Sequence, residues 1–106
     1  MVNLLEETRR DLELHGKTFD DVKWIELRGK ELPVELFIMK ADFAYDNGYG
    51  SAEIDETLMI VGDGWWLERE EYDGSEWWAF RTAPEKPSEA WGYDIPAFCW
   101  EDDEDY

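Results

Sequence analysis

Bases, histidines and cysteines are scarce in this chain, and each shortage excludes something. Ten Lys and Arg face 28 Asp and Glu, giving a net charge of −18 on 106 residues. Phosphate neutralisation needs clustered bases, so direct binding to nucleic acid is excluded, and attraction to an anionic membrane fails for the same reason. The lone Cys99 rules out an internal disulfide and fits a reducing compartment. The lone His15 cannot build a zinc set or a Cys–His catalytic pair. Apolar runs fall far short of the roughly 18 residues of a membrane span. The N-terminus has no basic stretch leading into an apolar one. Together these features read as a cytoplasmic protein.

What the chain does have is apolar and aromatic content: 43% and 16% of the residues, enough for one real core despite the charge. Residues 1–100 read as a single α+β domain and 101–106 as an acidic, disordered tail, five of its six residues being Asp or Glu. Charge is uneven. Residues 1–53 hold 12 acids and 7 bases (−5), residues 54–106 hold 16 and 3 (−13).

Residues 2–15 have helical spacing, with Leu5, Leu12 and Met1 or Thr8 on one face, Asn3 placed to cap and Gly16 to stop. Thr18 can cap a short turn through Asp21, ahead of a strand over Val22–Leu27 that the pattern allows at a sheet edge. A second helix is expected between Pro33 and Gly48, well buried because Leu36, Phe37, Met39, Ala41, Phe43 and Ala44 surround it. Runs over Thr57–Val61, Trp65–Tyr72 and Ser75–Thr82 are split by Asp63-Gly64 and Asp73-Gly74, the strongest short hairpin signal. The expected fold is two helices packed on one face of an antiparallel sheet of three or four strands, with a β-meander at 57–82. Residues 88–100, holding Trp91, Tyr93, Ile95, Phe98 and Trp100, are expected to pack irregularly over the domain.

The hairpin carries four of the seven tryptophans. A two-residue turn at Asp73-Gly74 pairs Tyr72 with Ser75, and period-2 alternation then separates two faces. Trp65, Leu67, Arg69, Trp78 and Phe80 share one, joined by Leu58 and Ile60, and this is the face expected to meet the helices. Trp66, Glu68, Glu70, Tyr72, Trp77, Ala79 and Arg81 share the other, with Arg81 opposite Trp66 in reach of a cation–π contact. If residues 88–100 cover this second face, the exposed site shrinks to the hairpin tip and its acidic edge.

No catalytic residue, cofactor site or metal site is assigned. The segment 42–53 and the Asp73-Gly74 turn both fail the calcium-loop spacing. Glu68 and Glu70 lie about 7 Å apart along a strand, as an acid/base pair could, but so do many solvated strand faces. The residues expected to contact a partner are Trp66, Glu68, Glu70, Tyr72, Glu76 and Trp77, because exposed aromatics dominate binding hot spots. The partner expected is a basic protein surface, such as a host nuclease whose nucleic-acid groove the carboxylates imitate.

Val61-Gly-Asp-Gly-Trp-Trp-Leu-Glu-Arg69 and Glu71-Tyr-Asp-Gly-Ser-Glu-Trp-Trp-Ala-Phe80 resemble a family of small proteins of bacteriophages and prophages of Gram-positive bacteria. Leu4-Leu-Glu-Glu-Thr8, Gly16-Lys-Thr-Phe-Asp-Asp-Val-Lys-Trp24 and Tyr45-Asp-Asn-Gly-Tyr-Gly50 fit the same pattern, which spans residues 4–83. The resemblance implies a phage origin and a bacterial cytoplasm, and carries no activity or catalytic residue. The expectation is a non-enzymatic accessory protein that binds and inhibits a host defence enzyme of the CRISPR or restriction type. The alternative is a small protein- or ligand-binding module in phage replication or packaging.

Overall fold

A computed structural model of the chain describes residues 1–48 and 50–99. Its elements run β1 (Val2–Asn3), α1 (Leu4–Leu14), a 3₁₀ turn (Phe19–Asp21), β2 (Trp24–Leu27), β3 (Lys30–Leu32), α2 (Val34–Lys40), β4 (Ala44–Tyr45), β5 (Met59–Val61), β6 (Trp65–Tyr72) and β7 (Ser75–Thr82). Five of the strands form one antiparallel sheet in the order β3-β2-β5-β6-β7, and β1 pairs with β4 in a small second sheet. The α+β class expected from the sequence is the one observed. The main sheet has five strands instead of three or four.

Local chemistry explains most boundaries. Asn3 Oδ1 accepts the Glu6 backbone N–H at 3.0 Å and starts α1. Thr18 and Asp21 close a reciprocal capping box around the 3₁₀ turn. Asp73 and Gly74 both adopt positive φ (51° and 85°), the two-residue turn that matches strand twist. Arg28 and Gly29 do the same (54° and 77°), which makes β2 and β3 a second tight hairpin. Position 28 is not a usual left-handed residue, so this turn hid β3 from sequence reading. With β3 outside it and β5 inside it, β2 is an interior strand and not an edge.

All of the core lies on one side of the main sheet. Ile25, Leu58, Ile60, Trp65, Leu67 and Trp78 point to that side and pack with Leu4, Leu5 and Leu12 of α1 and Phe37 of α2. α1 lies over the long hairpin: Trp78 Nε1 donates to Thr8 Oγ1 at 2.9 Å, and the His15 ring stacks on Phe80 with centroids 3.9 Å apart. Met1, offered as an alternative to Thr8 on the buried face, is exposed. α2 lies over β2 and β3.

Two expectations are corrected. The second helix is only seven residues, because the chain leaves it at Ala41 to form β4 against β1. With solvent on one side of so short a helix, Leu36, Met39 and Phe43 are exposed, and only Phe37 and Ala41 are buried. Residues 88–99 do not pack over the domain. Trp91, Tyr93, Ile95 and Phe98 are exposed, and among the described residues no regular element follows Thr82. The acidic run 101–106 and Trp100 lie outside the described residues.

The β5–β6 turn is set by crowding. A Cβ built on Gly62 would sit 2.0 Å from Trp65 Cε2, so the buried indole occupies the space of any side chain there. Gly62→Ala is therefore expected to destabilise the fold by about 1–3 kcal/mol, read from the urea midpoint at unchanged m-value.

Candidate functional site

The sheet face away from the helices is the candidate site, and strand pairing arranges it in rows. Trp24, Val61, Trp66 and Arg81 are successive cross-strand neighbours. The next row is Glu31, Glu26, Met59, Glu68 and Ala79, and Glu70 pairs with Trp77 beyond it. Side chains in one row lie on one face, so the pairing brings three tryptophans and four carboxylates onto a single surface. Trp24 and Trp77 are 39% and 38% exposed, and Trp66 is half-buried. Among the described residues no helix covers this side, and residues 88–99 are themselves exposed.

Hydrogen bonds order the surface. Trp66 Nε1 donates to Glu68 Oε1 at 2.7 Å, and Trp24 Nε1 repeats the motif on Glu26 Oε1 at 3.2 Å. In both cases the indole and the carboxylate are two residues apart on one strand, which presents them side by side. Arg81 lies opposite Trp66 as expected, but its guanidinium turns to the carboxylates. It hydrogen-bonds Glu70 and sits 3.5 Å from Glu68 Oε2, so the expected cation–π contact gives way to ion pairing. The arrangement anchors Glu68 and Glu70 to one cation between them. As a half-exposed surface cluster, it adds little to stability.

Of the residues expected to bind a partner, Trp66, Glu68, Glu70 and Trp77 come together on this face. Tyr72 stands at the hairpin tip, 76% exposed. Glu76 is misplaced in that expectation. Counted from the turn it has the parity of Trp78, so it points to the core side, where it is only 3% exposed. Sequence reading missed Trp24, Glu26 and Glu31. For Trp24 and Glu26 the signal was the alternation of residues 22–27, whose pairing with β5 only the tertiary structure supplies, while Glu31 lies on β3, which the Arg28-Gly29 turn hid.

Glu76 has a structural task instead. Its Oε1 accepts from Arg69 Nη2 at 3.1 Å and from the Ile54 N–H at 3.1 Å, and its Oε2 accepts from the Glu53 N–H at 2.6 Å. It thereby ties the 53–54 segment to the hairpin. The Arg69 side chain is 3% exposed and also donates to Tyr45 Oη at 2.9 Å, while Tyr45 Oη donates to Glu7 Oε1 at 2.5 Å. The guanidinium lies 4.7 Å over the Trp78 ring and 5.8 Å from that of Tyr45, and its Nε and Nη1 have no hydrogen-bond partner among the described residues. Burial raises the Glu7 carboxyl above the usual carboxylate range, against the opposing pull of the Tyr45 hydroxyl and Arg69. Burial and the Glu7 acceptor likewise push the Tyr45 phenol up. By contrast, the Thr57 hydroxyl and then Arg28 hold Asp55 down at about 2.

Among the described residues no group of His, Cys, Asp and Glu is arranged to hold a metal ion, and no helix is long and apolar enough to cross a membrane. No protein-family model, curated protein or solved structure matches the chain.

The buried network makes two expectations measurable. Arg69→Ala leaves two buried carboxylates without their cation and should lower unfolding free energy by about 3–5 kcal/mol in urea titration. Because the folded-state pKa of Glu7 is raised, its contribution is fully present below 4.5 and is lost as pH rises through the higher folded value. Stability should therefore decline with rising pH just above 4.5, and Glu7→Gln should flatten that part of the curve.

Proposed function

We propose that the chain is a non-enzymatic accessory protein of phage origin that docks its open sheet face on the basic nucleic-acid groove of a host defence enzyme and blocks it. The observation that carries this reading is the uncovered face itself: Trp24, Trp66 and Trp77 interleaved with Glu26, Glu31, Glu68 and Glu70, against one arginine. Half-exposed tryptophans on a rigid sheet provide contact area with little entropy to lose, which is the profile of interface anchors. The carboxylates provide steering toward a positive groove, strengthened by a body charge of −18. The hairpin's likeness to phage and prophage proteins supports the setting. The Glu68–Arg81–Glu70 cluster holds the acids in fixed positions, as a competitor for phosphate contacts needs.

The test is plaquing of a targeted phage on cells that carry an active RNA-guided nuclease or restriction system, with the protein expressed in trans. Wild type should restore plaquing. Glu68→Lys with Glu70→Lys, and separately Trp77→Ala, should each weaken binding to the purified enzyme about tenfold or more. Reversal of Glu13 and Glu35, exposed on the helices, makes the same change in net charge and should leave inhibition intact. Binding should also weaken as salt rises from about 0.05 to 0.3 M. Inhibition indifferent to both the face and the salt would sink the proposal, as would no effect on any enzyme of these classes.

A further inference from the structure

Two apolar features lack a partner among the described residues, and they attach at opposite edges of the sheet. The first is the segment 84–99. Trp91, Tyr93 and Phe98 are 73%, 104% and 92% exposed, and the backbone attaches to the domain through Ala83 N–H to Gly64 O at 2.9 Å. Large aromatics left in water at this density mark an interaction site. The second is a cleft of about 240 Å³ between α2, β2–β3 and the 53–58 segment, walled by Leu27, Leu32, Phe37, Phe43, Ile54 and Leu58. Exposed Leu36 and Met39 of α2 extend its apolar surroundings.

The size of the cleft decides what class of occupant fits. It falls below the roughly 300 Å³ at which pockets for drug-sized molecules begin, and matches one or two large side chains instead. Its polar lining is Lys40, Glu53 and Asp55. Asp55 is engaged by Arg28 and Thr57, whereas Lys40 makes no ion pair among the described residues. An apolar guest with a nearby carboxylate therefore suits it, and the segment supplies that combination in Trp91-Gly-Tyr-Asp-Ile95.

Topology favours a second copy of the chain as the source of that segment. The segment leaves from β7, one edge of the sheet, while the cleft lies at β2–β3, the other edge. Four strand spacings separate β7 from β3, about 19 Å. Pro84 and Pro87 favour an extended exit, and the molecule is 58 Å long against 32 and 26 Å across. The segment thus leaves the domain at the sheet edge opposite its own cleft. We propose that two copies of the chain exchange these segments, each seating Trp91 and its neighbours in the partner's cleft beside Lys40. Each copy then offers both halves of the contact, as a two-fold dimer requires. Two bodies of charge −18 repel, so this dimer strengthens as salt rises. That trend is opposite to the one expected for docking on a basic groove, and the dimer is independent of that reading.

The experiment is light scattering behind size-exclusion chromatography on the full chain at about 10–200 µM, in low salt and in about 0.3 M salt. The expected mass is twice 12.6 kDa at the higher salt. Trp91→Ala with Phe98→Ala should be monomeric, and so should Phe43→Glu, each with cooperative unfolding retained. Mixing the two variants should restore a mixed dimer, because one keeps an intact cleft and the other an intact segment. Should Phe43→Glu fail to fold, Lys40→Glu at the exposed end of α2 should raise the dimer dissociation constant severalfold. A wild type that stays monomeric at about 200 µM overturns the proposal, as does a dimer that survives both sets of substitutions.

Discussion

Arg69 holds this small domain together. Its guanidinium lies under the sheet, where it joins β6 to Glu76 of β7 and Tyr45 of β4, and through Tyr45 reaches Glu7 of α1. Taking a cation out of water costs several kcal/mol unless opposite charge and hydrogen bonds replace the solvent. Two carboxylates, a phenol and the Trp78 ring do so here. In consequence α1, the small second sheet and the 53–54 segment are all fastened at one point. The network gives position more than net stability, since a buried ion pair rarely outperforms well-packed apolar groups.

Arg69 also bears on the outer face. With position 69 held inward, Glu68 and Glu70 must project outward, and the same parity places Trp66 beside them. The rigid base beneath therefore controls how the acidic and aromatic groups are presented above. Arg81 completes the arrangement from the neighbouring strand by fixing both carboxylates. A surface that binds through charge and indole faces gains from this rigidity, because less side-chain freedom remains to be lost on contact.

Much of this was legible in the sequence. The meander, its register, the burial of Trp65 and Trp78 and the first helix with its Asn3 cap all follow from alternation and turn chemistry. What escaped had physical causes. β3 escaped because Arg28 takes a left-handed turn position usually held by Asn, Asp or Gly. The second helix was overextended because Phe43 and Ala44 look helical in isolation, yet β1 offers their backbone a strand partner. Glu76 was taken for a surface acid because carboxylates are rarely buried, and its partner Arg69 stands seven residues away.

By itself the sequence determined the parity of the hairpin, and with it which tryptophans share a face, because side chains on a strand alternate whatever surrounds them. Only the tertiary structure decided which polar groups go under the sheet and which face stays open. Burying Arg69 and Glu76 requires Tyr45 and Glu7 from distant parts of the chain. Leaving the outer face uncovered depends on the path of residues 84–99. Neither outcome is encoded in the local periodicity of the strands.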